Sequence, residues 1–284
     1  IKHGNGPGSL HAYADYGRIL CGFFEDIDSG YSFGMLALNM LETSNAKEVE
    51  ARIFLVFNMF IRHWKEHLRE TLNPLLKAFQ LGLETGDIAS AAYSVEAYCL
   101  HSYLVGKKLT SLEQEITKYV EEISQLKQEA VLYSTKMYLQ SVLNLTGKGE
   151  NPCLLIGESY NEDILLQLHI DTGDKSGICF YYVNKMILCY LFEEYSQAIE
   201  NALMAEEYLS KAVGQITVPI FYFYDSLINL AILSSSDDNS EDKKSVLKRV
   251  KDNQKKMENW AYHVPMNHMH KFYLVEAEQA RVLN

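Results

Sequence analysis

The stretch 177–209, GICFYYVNKMILCYLFEEYSQAIENALMAEEYL, constrains this chain more than any other. It reads as two antiparallel helices joined by a turn at Glu193 and Glu194. In the second helix Tyr195, Ala198, Ile199, Ala202, Leu203 and Leu209 recur at helical spacing, which predicts one apolar stripe. Ser196, Gln197, Glu200, Asn201 and Glu207 fall on the other side. The first helix is apolar nearly all round, from Ile178 and Phe180 through Met186 and Leu188 to Leu191. Such a helix has to be covered on more than one side. A single hairpin cannot do that, so neighbouring hairpins are required, which is the logic of a helical repeat.

The turn chemistry of this hairpin recurs. Asp26-Ile27-Asp28-Ser29-Gly30, Asp87-Ile88-Ala89-Ser90-Ala91 and Glu194-Tyr195-Ser196-Gln197-Ala198 each carry an acid, then an apolar residue, then Gly or Ala four positions after the acid. The acid suits a helix N-terminus, where it meets orphan amides and the positive end of the dipole. The small residue lets the second helix approach the first. Ala37 and Ala205, seven residues on, hold the next small position. This is the second-helix pattern of tetratricopeptide repeats. The Trp and Gly of their first helix are missing, and Met186 stands where the Gly would be. The repeats are therefore degenerate and longer than the usual ~34 residues.

Further helices are expected at 10–24, 28–42, 46–64, 70–84, 88–105, 111–128, 131–145, 161–170, 217–233, 241–263 and 266–283. The helices at 111–128 and 241–263 are charged and read as solvated outer helices, the lysines of the second interleaved with acids. The segment 147–160 reads as an irregular interruption and 234–240 as a loop, while 1–9 reads as a loop leading into the first helix. No segment reads as a strand. The expected fold is all-α: a right-handed, TPR-like superhelix (α-solenoid) of roughly six or seven degenerate hairpins, forming a single domain over 1–284. Both ends read as cut, so a piece of a longer polypeptide is expected.

The formal net charge of −11 argues against a nucleic-acid or anionic-membrane partner, because no basic excess offsets phosphate. No window reads as ~18 or more uncharged apolar residues, so no membrane span is expected. The cysteines, Cys21, Cys99, Cys153, Cys179 and Cys189, are odd in number and widely spaced, four of them inside apolar helical patterns. They read as core thiols of a cytoplasmic chain.

One motif could carry chemistry. His63-Trp64-Lys65-Glu66-His67 spells H-x-x-E-H, which on a helix puts two histidines one turn apart as metal ligands with Glu66 as base. It defines one alternative reading, a zinc-dependent hydrolase; a small-molecule sensor domain is another. The bland reading is a polar inter-helix corner with Trp64 packed and the histidines partly exposed. The cluster from His263 to His270 straddles a turn at Pro265, and His268 and His270 would point to different sides of a helix. There is no phosphate loop and no G-x-S-x-G. Nineteen tyrosines, among them Tyr93, Tyr98, Tyr181, Tyr190 and Tyr224, suit core packing or a groove wall. No catalytic, cofactor-binding or metal residue is assigned, and no cofactor is expected.

The runs FNMFIRHWKEHLRETLNPLL, GLETGDIASAAYS, ENPCLLIGESYNED, NKMILCYLFEEYSQAIENALMAEEYL, VPIFYFYDSL and PMNHMHKFYLVEAEQAR are similar to one region of very large signalling proteins, prominent in cyanobacteria. These join a serine/threonine kinase domain, a STAND/AAA-type predicted ATPase, a tetratricopeptide-like helical region, a GAF sensor and a histidine kinase. The resembling region lies between the ATPase and the GAF domain. One departure is Phe192, where the family pattern has a glycine before the turn. The resemblance implies a non-catalytic regulatory and protein-interaction module. Its partner would be a protein, a peptide, the adjacent ATPase domain of the same chain or a small-molecule inducer. Kinase, Walker and histidine-kinase motifs are absent from this sequence, so no catalytic residue carries over.

Overall fold

The computed structural model describes residues 6–44, 46–235 and 241–283. Part of the expected loop, 236–240, lies outside the described residues, as do 1–5, Asn45 and Asn284. Among the described residues the chain is all-α, with thirteen α-helices, three short 3-10 turns and no strand. It divides into two compact units, Ile1–Leu139 with Val213–Ile216, and Gln140–Ala212 with Thr217–Asn284.

The first unit holds α1 (Pro7–Phe23), α2 (Ile27–Thr43), α3 (Lys47–Phe60), α4 (Leu72–Thr85), α5 (Ile88–Leu104), α6 (Leu109–Gln125) and the first part of α7 (Glu129–Leu145). Helix α1 starts earlier than the expected leading loop allows, because Pro7 fits a first helical turn, where no amide is needed. Helix α3 stops at Phe60 instead of running to Trp64, and the 3-10 turns Arg62–Trp64 and Leu68–Thr71 carry the chain to α4. Helix α1 packs on α2, α3 on α4 and α4 on α5, and α1 also packs on α3 and α3 on α5. Phe79, Ala91, Ala92, Val95, Ile123 and Val131 form a core among α4 to α7.

The second unit holds the end of α7, then α8 (Glu162–Thr172), α9 (Lys175–Leu191), α10 (Tyr195–Tyr208), α11 (Thr217–Ser235), α12 (Glu241–His263) and α13 (Pro265–Leu283). The same stacking recurs here, with α9 on α11 and α11 on α13. As its composition requires, α9 is buried on nearly every side, Ile178, Tyr181, Met186 and Leu188 each being 5% exposed or less. Each such side chain contributes about 1.5–3 kcal/mol of burial. Helix α10 departs from the expected stripe on one flank only. Its buried line is Ala198, Ala202 and Ala205, continued by Leu209 in the 3-10 turn that follows, while Leu203 is 52% exposed. Alanines let α10 lie close against α9, and that close approach leaves Leu203 outside the contact.

One turn joins four of these hairpins. A left-handed residue ends the first helix and an acid starts the second: Glu25 (φ 54°) before Asp26, Gly86 (φ 79°) before Asp87, Gly173 (φ 70°) before Asp174, and Glu193 (φ 65°) before Glu194. Asp26, Asp87 and Asp174 accept the amide three residues on, from Ser29 at 3.1 Å, Ser90 at 3.1 Å and Gly177 at 3.0 Å. Glu194 makes no such bond. The left-handed residue is Glu193, so the glycine missing at Phe192 is not one the turn needs; Phe192 sits at φ −101°. At Gly30 a methyl group would meet the Cys21 sulfur and lie 2.8 Å from the Gly17 carbonyl oxygen, the close approach expected of the small position.

The irregular segment after α7 is tied down. Gln140 Oε1 accepts from the Ser159 amide at 3.1 Å, and Asn144 Nδ2 donates to the Leu154 carbonyl at 2.7 Å. Lys185 Nζ, on α9, donates to Glu162 Oε1 at 2.8 Å, and Glu162 Oε2 accepts the Leu155 amide at 2.6 Å. All five cysteines are free and buried.

By length and composition alone helix α11 could cross a membrane, although Asp225 interrupts its apolar run. Thr217–Ser234 has the length and mean hydropathy (1.3) to do so. In the structure 67% of it is buried within the protein. Its Asp225, wholly buried, is met by Arg249 of α12 through two parallel bonds of 2.8 Å and by Asn253 Nδ2 at 2.7 Å. A buried carboxylate has to be paired in this way.

Candidate functional site

A cleft of about 460 Å³ opens in the first unit between the end of α2, the length of α3 and the first turns of α4. Its floor is apolar, with Leu41 and Phe57. Phe54 forms a wall, and the Lys77 ammonium lies 4.3 Å from the Phe54 ring centroid and 3.4 Å from Glu50 Oε1. Lys47, Glu42 and Arg62 complete a charged rim of both signs. The positions follow from the helices: Glu50, Phe54, Phe57 and Asn58 recur at i, i+4, i+7 and i+8 on one face of α3.

The H-x-x-E-H motif lies beside this cleft, and its three polar residues diverge. Because α3 has already ended, His63 and His67 do not share a helical face. His63 is fully buried and its Nε2 donates to the Gly214 carbonyl at 3.0 Å. This corrects the expectation that it is partly exposed. Burial drives its pKa down to about 4. His67 is half-buried, and its Nδ1 accepts the Arg69 amide at 3.0 Å, capping the second 3-10 turn. Glu66 accepts from the Tyr31 hydroxyl at 2.7 Å through Oε1 and from Arg62 Nε at 2.9 Å through Oε2. Burial, then the bond to Glu66, pushes the Tyr31 phenol up to about 12. Glu66 therefore braces the cleft's Arg62 and does not face the histidines as a base. Among the described residues no three His, Cys, Asp or Glu side chains form a group able to hold a metal ion.

A second histidine, His101 on α5, lies 6.3 Å from His63 ring to ring. The Thr71 hydroxyl donates to the Leu68 carbonyl at 2.7 Å, so His101 Nδ1 is the donor in its 2.7 Å contact with Thr71 Oγ1. Burial lowers the His101 pKa to about 3. Both rings are neutral core members. Of the later cluster, His268 is buried and His270 Nε2 accepts from Lys271 Nζ at 3.0 Å, so those two also point apart.

Four tyrosines are core members, Tyr98, Tyr138, Tyr160 and Tyr181, and most of the others are half-buried. No tyrosine lines the cleft. Tyr93 is 44% exposed, outside the core. The cleft residues Phe54, Lys77 and Glu50 escaped the sequence reading, because ordinary amphipathic spacing gave no sign that α2 and α4 would stand apart over them. Asp225 and Lys185 could have been found: each is a lone charge inside an apolar run and so demands a partner.

With an apolar floor, charges of both signs and no activated nucleophile, this geometry can bind a side chain and its flanking charges. No family model matches the chain, and no solved structure matches it. Over 150 residues, 52% of its length, it is 29% identical to hybrid signal transduction histidine kinase G of Dictyostelium discoideum. It spans 4% of the length of that protein.

Proposed function

We propose that this chain is a non-catalytic regulatory module of a cytoplasmic signal-transduction protein that joins kinase and ATPase domains. In this reading it is a TPR-like superhelix that binds a protein or peptide segment, the neighbouring ATPase domain among them, and passes the binding on through differential affinity for two states of that neighbour. The observation that carries it is the recurrence of one hairpin turn together with the stacking of α1, α3 and α5, and of α9, α11 and α13. The partial likeness to a signalling histidine kinase supports the setting. The cleft over α3 supports a peptide ligand: an apolar residue on Phe57 and Leu41, with charged neighbours meeting Lys47, Lys77, Glu42 and Glu50.

Selection from a displayed random-peptide library tests this reading. Peptides with an apolar anchor flanked by charges are expected, binding the wild type at least about tenfold more tightly than Lys77→Glu or Phe54→Ala, the loss typical of a central contact. Selected peptides that bind all three chains equally would remove the cleft as the site.

A further inference from the structure

Two outer ridges of opposite charge stand side by side on the second unit. On α10, Glu200 and Glu207 lie seven residues apart and both are exposed. On α12, Lys244, Lys248, Lys251 and Lys255 recur at i, i+4, i+7 and i+11 and are exposed too. Each set forms one line along its helix, opposite that helix's buried residues. Leu203, 52% exposed, lies on the same outer face as Glu200 and Glu207. In a chain of net charge −11, four lysines on one ridge, answered there by Asp252, are a departure from composition.

The two helices run in the same direction. Helix α11 antiparallels α12, since its Asp225 bonds Asn253 and its Tyr222, one turn earlier, bonds Lys256. It parallels α9, since Lys211 before it lies beside Ser176 and its Tyr224 packs 5.7 Å from Tyr190. Helix α10 antiparallels α9, with Tyr190 against Tyr195 and Tyr182 against Tyr208, and so runs with α12. The bond from Arg249 NH2 to Glu206 Oε2, 3.0 Å, fixes their register.

We propose that this face is self-complementary and pairs with a second copy of the same chain about a two-fold axis along the shared helix direction. That axis lays α10 of one copy on α12 of the other without shifting height. Glu207 then faces Lys248 and Lys251, Glu200 faces Lys244, and each Leu203 is covered; the same contacts form twice. At physiological ionic strength the repulsion of two acidic chains is screened beyond ~8 Å, whereas the ridges meet at contact distance.

Sedimentation equilibrium of the 284-residue chain at physiological ionic strength tests the pairing. A reversible dimer is expected. Lys248→Glu with Lys251→Glu, and separately Glu200→Lys with Glu207→Lys, should each weaken it by at least about tenfold. All four side chains are exposed, so the fold does not depend on them. Mixing the two double variants should restore a dimer, because one then carries two basic ridges and the other two acidic ones. A chain that stays monomeric at every concentration, a dimer indifferent to both double variants, or a mixture that fails to pair would overturn the proposal. A monomeric chain whose lysine ridge binds poly-glutamate would overturn it as well.

Discussion

At the residue scale, Asp87 and Glu194 hold the same place in the same turn and do different work. Asp87 accepts the Ser90 amide at 3.1 Å, while the longer Glu194 side chain makes no cap bond. Asp87→Ala should therefore lower unfolding stability by about 1 kcal/mol, and Glu194→Ala should leave it within about 0.5 kcal/mol; urea denaturation compares them, and equal losses would contradict the capping assignment. His63 and His101 set a pH dependence. Both folded pKa values, about 4 and about 3, lie below the 6.5 of an exposed histidine. The unfolded chain binds their protons first, so stability is full above pH ~6.5 and falls as the pH drops towards the folded values. His63 alone should remove about 2 kcal/mol between pH 7.5 and pH 5. Denaturation midpoints that stay flat over that window would show that these rings are solvated.

At the element scale, the spacing in 177–209 was enough to foresee a hairpin whose first helix is buried all round. It placed Ala198 and Ala202 of α10 inward, but set Leu203, which is 52% exposed, on the same stripe. Ile199 and Leu203 fit an apolar stripe as well as the alanines do, and the decision rests on how closely two backbones approach, which apolar spacing does not encode. Ala202→Leu should cost about 1–3 kcal/mol through overpacking, whereas Leu203→Gln should fall within about 0.5 kcal/mol for the monomer; the reverse order in thermal denaturation would restore the stripe read from the sequence. The acid-led turns were legible at Asp26 and Asp87. The one at Asp174 was missed, because its residue four positions on is Ile178, while the small residue, Gly177, comes one place earlier. The H-x-x-E-H pattern carries no sign that α3 ends at Phe60, and so none that His63 would be buried. The cleft was illegible for a related reason: it is made by the spacing of three helices, a tertiary property.

At the scale of the whole molecule, a repeat-built chain differs from a globule of equal length in how its mass is spread. Stacked hairpins touch only their neighbours, so a superhelix keeps a long axis and an open face, and binding is the work such a face can do without chemistry of its own. Small-angle X-ray scattering of dilute, monomeric chain measures this directly. A compact globule of 284 residues has a radius of gyration of about 19 Å. The superhelix proposed here should give a clearly larger radius and a pair-distance distribution with a long tail. A radius at the globular value with a symmetric distribution would contradict the repeat-array architecture and, with it, the interaction-module reading.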